Sequence, residues 1–192
     1  MSIRAALLVM DVQNGMVEAF GNDEAYLGRV AAAVSGARSA SIPVIYVRVA
    51  FRPGLPEVSS TSKSFAGLKS AAQHPFGEDD DATRVHPAVA PLPGEVVVTK
   101  RRSGAFTGSD LDVVLRAGEI DTLVLTGMAT SGVVLSTTRA AADRDFSLIV
   151  LSDGCLDGDP EVHRVLTEKV FPKQADVMTV AEWLTTLISA TD

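Results

Sequence analysis

DTLVLTGMATSGVVLSTT, residues 121–138, reads as a buried strand that passes through a tight turn of small residues into a helix. Thr122 to Thr126 is a β-branched and leucine run without charge, the pattern of a strand covered on both faces. Gly127 is expected to end it. From Gly132 to Asp143 the residues Val133, Val134, Ser136, Thr137 and Ala140 to Ala142 suit a helix packed closely on a sheet. The N-terminus of such a helix turns free N–H groups toward the space above the strand end, and that space attracts anions and carbonyl oxygens.

Working outward, the same alternation of apolar runs and helical patterns recurs along the chain. Ala5 to Met10 predicts the first strand, with Asp11 where it runs out, and Glu24 to Ala40 carries apolar residues at three- and four-residue spacing, an amphipathic helix. Pro43 introduces a second strand, VIYVRVAF, and Val96 to Thr99 a third that ends at Lys100. A helix start capped at Ser109 leads to Ala117 and Gly118. Phe146 to Ser152, a helix beginning at Pro160, the short strand Ala175 to Thr179 and a helix from Ala181 to Ile188 complete the series. Six strands alternating with helices call for a parallel sheet with helices on both faces. The chain is expected to form a single domain over 1–192.

One segment breaks this pattern. From Arg52 to Ala82 prolines, glycines and the acidic run GEDDD make a long surface excursion, with a short helix expected over Lys63 to Ala72. Loops of that length in compact domains are commonly lids or partner-binding segments, whereas an acidic run is commonly a solvated face. Asp11 and Lys100 both stand at strand ends, on the rim where open parallel sheets bind ligands. The alternative for Asp11, with Asn14, is the capping of a turn.

Composition narrows the function classes. A formal charge of −7 and a pI near 4.9 argue against nucleic-acid or membrane-surface binding, both of which need a basic face. Small molecules or protein partners are expected instead. The apolar run Ala5 to Met10 is too short to span a membrane and has no cleavage pattern of a signal peptide, so the expectation is a cytoplasmic protein. Cys155 is the single cysteine, which excludes an internal disulfide and a cysteine zinc cluster.

Four strings, LLVMDVQNGM, VVVTKRRSGAF with SDLDVVLR, TGMATSGVVLST and SDGCLDGDPEVHRV, together resemble the isochorismatase-like, or cysteine hydrolase, superfamily almost end to end. The resemblance implies a three-layer α/β/α, Rossmann-like fold with a six-stranded, mainly parallel sheet. It also implies a triad of Asp, Lys and Cys after the first, third and fourth strands. Asp11 and Lys100 match the first two positions, while Val133 stands where the nucleophilic cysteine belongs. An aliphatic side chain cannot attack a carbonyl. Cys155 lies one strand later and reads as buried filler, and Ser131 and Ser136 have no evident activating base, Ser131 reading more simply as a helix cap.

What the resemblance then implies is a hydrolase acting on a small anionic or carbonyl substrate without a covalent intermediate. Asp11 would be the acid/base and Lys100 its electrostatic partner. Gln13, Phe106, Met128, Ala129, Ser131 and Gly132 would line the substrate site, with a cis peptide at Met128–Ala129. The rival reading is a non-catalytic binding or regulatory member of the same fold. No cofactor and no metal are expected, because His74 and His86 lack the spacing of the metal-binding relatives. His163 is expected to be a structural or helix-surface residue rather than a catalytic one. Members of the superfamily commonly form dimers or larger assemblies, so a homo-oligomer is expected, with Trp183, Leu184, Leu187 and Ile188 as shared surface.

Overall fold

The computed structural model describes residues 4–66 and 76–189. Six strands form one sheet in the order β3-β2-β1-β4-β5-β6, every pair parallel. They are β1 (Ala5–Met10), β2 (Val44–Val49), β3 (Val96–Lys100), β4 (Thr122–Met128), β5 (Ser147–Leu156) and β6 (Asp176–Met178). Among the described residues the α-helices are α1 (Asn14–Ala19), α2 (Glu24–Ser39), α3 (Leu111–Ala117), α4 (Leu135–Ala142), α5 (Pro160–Val165) and α6 (Val180–Ser189). The fold is the expected three-layer α/β/α arrangement.

The two-residue period of the strands explains why both faces are covered. Ala6, Leu8 and Met10 of β1 point with Leu123 and Leu125 of β4 into one core, against Leu111, Leu115, Ala141 and Phe171. Leu7, Val9 and Val124 point the other way, onto Tyr26, Val30, Ala33, Val34 and Trp183. Truncating one of these fully buried leucines to alanine typically costs about 2–5 kcal/mol. Among the described residues no helix is long and apolar enough to cross a membrane.

Strand order reverses at β1, which pairs with β2 on one side and β4 on the other. In open parallel sheets the crevice beyond the carboxyl ends at such a reversal is where ligands bind. Several local expectations need correction here. Gly127 does not end β4: with φ +148 it continues the strand past β1, and a Cβ there would meet the Met10 carbonyl oxygen at 2.3 Å. The same irregularity lets β5 run on to Leu156, pairing Gly127 with Cys155 and Met128 with Leu156.

The helix after β4 also begins differently. Thr130–Val134 forms a π-helical turn before α4, the Ala129 carbonyl accepting from both Gly132 and Val134. Helix α3 is directly preceded by Asp110, whose side chain caps nothing; the hydroxyl of Ser109, one residue earlier, donates to the Ala105 carbonyl and accepts from the Leu111 N–H at 3.4 Å. Helix α1 stands where only a turn is expected after Asp11. The helix expected over Lys63 to Ala72 lies largely outside the described residues, as does His74.

Candidate active site

Asp11 closes β1 in the left-handed region, φ +55, with its N–H donating 2.8 Å to the Val47 carbonyl of β2. Lys100 is the last residue of β3, two strands away. Parallel register brings the two together across the end of β2: Lys100 Nζ lies 2.8 Å from Asp11 Oδ2, and the residues are 2% and 5% exposed. Lys100 Nζ also donates to the Arg102 carbonyl, 2.9 Å. Asp11 Oδ1 is buried and has no hydrogen-bond partner among the described residues. Burial pushes the Asp11 carboxyl above its usual range, against the pull of the Lys100 ammonium.

These two groups lie at a cavity of about 300 Å³, within the range of small-molecule sites. Met128, Ala129, Gly132 and Val133 form the wall contributed by the turn after β4. The other lining residues include Met16 of α1, Val49 at the end of β2, Phe51 just past it, where the strand expected to run to that residue has already ended, and Phe65 and Phe76 of the excursion. Phe51 and Phe65 meet edge to face with ring centres 5.7 Å apart. Ser64 and Ser103 supply hydroxyls. The Met128–Ala129 peptide is cis.

Three residues expected on this wall are elsewhere. Gln13 is fully buried and locked: its amide N–H groups donate to the carbonyls of Val49 and Thr83, and its Oε1 accepts from the Val49 N–H, each at 2.9 Å. It staples β1 to β2 and to the returning excursion, because a buried amide must spend all its hydrogen bonds. Phe106 packs in the core beside Phe146, with the Arg144 guanidinium 4.6 Å above its ring. Ser131 is exposed and caps nothing; its N–H donates 2.6 Å to Asp157 Oδ2.

The other candidates fall outside the cavity. Cys155 is buried in the core, its Sγ directed at the Leu125 carbonyl, and burial raises its pKa to about 12. Such a thiol is not a ready nucleophile. His86 accepts from the Ala88 N–H at the start of a short 3₁₀ turn. Among the described residues no three of His, Cys, Asp and Glu are placed to hold a metal.

Sequence reasoning missed the excursion's contribution. Phe51, Leu55, Val58, Phe65 and Phe76 form their own apolar cluster with Val49, and such a cluster has no strand or helix period to announce it. The basic run after β3 anchors it. Arg101 pairs with Glu57 and Glu78, and the Arg102 guanidinium donates 2.9 Å to the Glu57 carbonyl.

The geometry can be set beside known proteins. Residues 5–182 match the family model described as Isochorismatase domain. An enzyme named ureidoacrylate amidohydrolase, from Methylobacterium radiotolerans, is 34% identical over 82% of this chain and 69% of its own. The structure of an isochorismatase family protein from Burkholderia thailandensis superposes with a TM-score of 0.84 at 29% identity, covering 98% and 97% of the two chains. N-carbamoylsarcosine amidase from Thermoplasma acidophilum gives 0.74 at 26% identity over 93% and 97%.

Proposed function

The chain belongs to the isochorismatase family, and we propose that it hydrolyses a C–N bond of a small carbonyl compound by direct attack of water. No acyl-enzyme forms in this scheme. The observation that carries it is the Asp11 carboxylate: one oxygen holds Lys100 while the other, buried and without a partner among the described residues, is free to take a proton. Val133 supports the absence of a covalent step, since it lines the cavity and carries no nucleophile. Two similar proteins, named as an amidohydrolase and an amidase, support the bond type.

The chemistry follows from the pair. Asp11 removes a proton from water as the water oxygen bonds to the carbonyl carbon. The carbonyl π electrons move onto oxygen, and the Lys100 ammonium offsets part of the charge that develops nearby. Asp11 then returns the proton to the leaving nitrogen as the tetrahedral species collapses and the C–N bond breaks, giving an acid and an amine. Burial raises the Asp11 pKa, which makes the carboxylate a better base, and Lys100 keeps it ionised enough to act. The apolar wall of Phe51, Phe65, Phe76 and Met128 suits a compact, largely apolar body.

The test is turnover of a panel of small amides, ureides, imides and vinyl ethers, with products identified by NMR. An active compound should lose about 10²–10⁴-fold in rate in Asp11→Asn and be turned over by Cys155→Ser at the wild-type rate. A substrate-derived mass adduct on the protein would overturn direct water attack. A compound that stabilises the protein thermally yet is recovered unchanged, with no substrate found in the panel, would favour the binding-protein alternative that Val133 also suggests.

A further inference from the structure

The turn that walls the cavity is held from behind by groups the proposed chemistry does not use. Thr130 is fully buried, and the single partner of its hydroxyl among the described residues is His163 Nδ1 of α5, 2.8 Å away. Ser131, next in sequence, donates its N–H to Asp157 Oδ2. Asp157 Oδ1 in turn accepts from the N–H of Asp159, and Asp159 Oδ1 accepts from Glu161 and Val162 at the first turn of α5. The connections form a closed ring: turn to Asp157, to Asp159, to α5, to His163 and back to the turn.

We propose that His163 is a positioning residue, which with Asp157 fixes the turn Met128 to Val133 against the Asp11–Lys100 pair and releases it when the imidazole takes a proton. Two adjacent residues of the turn are gripped by one helix and its leading loop, so the wall residues Ala129, Gly132 and Val133 cannot shift without breaking one grip. The two grips differ in chemistry. Ser131 to Asp157 is a charge-assisted bond to a carboxylate; burial opposes ionisation of that carboxylate, yet the hydrogen bonds of Ser131 win and hold its pKa below the ordinary value. Thr130 to His163 depends on the tautomer.

A neutral ring protonated on Nε2 accepts the Thr130 hydroxyl proton at Nδ1. A charged ring donates from both nitrogens. Thr130 would then have to become the acceptor and leave its own proton buried without a partner, which is unfavourable. The charged groups around the ring come from every packed element. Asp157 of the β5–α5 loop favours the cation, Asp153 of β5 is engaged by Arg29 and the Val180 N–H, and Glu161, Arg164 and Glu168 of α5 and the turn after it are largely tied to one another. Burial outweighs Asp157 and lowers the His163 pKa below 6.5. The sign follows: the grip is intact above the ordinary histidine range and is lost as pH falls through the ring's own, lower pKa.

Two-dimensional NMR of the intact chain, titrated from about pH 8 to about pH 5 around the ordinary histidine pKa, tests this without any substrate. The amides of Thr130, Ser131, Gly132 and Val133 should move with the inflection of the His163 ring, below 6.5. That common inflection should vanish from the turn in His163→Gln and in Thr130→Val, the second of which removes only the hydroxyl. Turn amides that stay still while the wild-type ring titrates would overturn the proposal, as would an inflection that survives in His163→Gln. The wild-type measurement stands alone if a variant fails to fold.

Discussion

A buried ion pair and an exposed set of nearly equal lengths teach different things. Lys100 and Asp11 meet at 2.8 Å with side chains 2% and 7% exposed, whereas Arg164 meets Glu161 at 2.8 Å and Glu168 at 2.7 Å with side chains 42% to 68% exposed. Water screens the second set and each long side chain gives up freedom to make it, so its contribution is small. The first pair has lost its water, so each charge depends on the other. Burial, not distance, decides which pair can move a proton or destabilise the fold.

The largest effect should come from breaking the buried pair on one side. Lys100→Met leaves a carboxylate with no cation, and unfolding by urea at neutral pH should show a loss of about 3–5 kcal/mol. Without the lysine the folded-state pKa of Asp11 rises further above its unfolded value. Stability from such a group is fully present below the unfolded pKa and is lost as pH rises through the folded one. The deficit should therefore shrink as pH falls toward about 4, near the ordinary Asp value; an equal deficit at both pH values would show that the pair is not electrostatically coupled.

A smaller perturbation probes the same place. Val133→Cys introduces a thiol on the cavity wall at a cost in stability below about 1.5 kcal/mol. It should react with iodoacetamide much faster than wild type, whose only thiol, Cys155, is buried and pushed up to about 12. Adding Asp11→Asn should slow that reaction, since the carboxylate can act as its base. Equal rates in wild type and Val133→Cys would remove Val133 from the site. The smallest effect should be that of Arg164→Ala, with no measurable change in the unfolding midpoint; a clear drop would mean the exposed network does more than its exposure allows.

What the chain disclosed in advance follows physical period. Buried parallel strands are unbroken apolar runs, so β1 and the start of β4 are readable to within a residue, and Asp11 and Lys100 stand out as charges at the ends of β1 and β3. The family resemblance, rather than any pattern, carried Val133 and the cis peptide. The rest depends on contacts far apart in sequence. The resemblance assigns Gln13 to the site, yet its three bonds reach Val49 and Thr83. Phe106, which the resemblance also assigns to the site, is held instead by Phe146 and Arg144. Phe65 and Phe76 join Phe51 on the cavity from an irregular segment, where no periodicity marks a side chain as inward.

Gly127 has a consequence for how this framework tolerates change. An added Cβ would strike the backbone oxygen of Met10, which cannot rotate away, and the residue's φ of +148 disfavours any other amino acid. Gly36 is different, since its would-be neighbour is the flexible end of Leu184. Under selection for a new substrate, the cavity wall at Val133 and Phe76 is open to variation one residue at a time. Position 127 is closed, because its constraint is on the path of the main chain and no chemistry at the site can compensate for it.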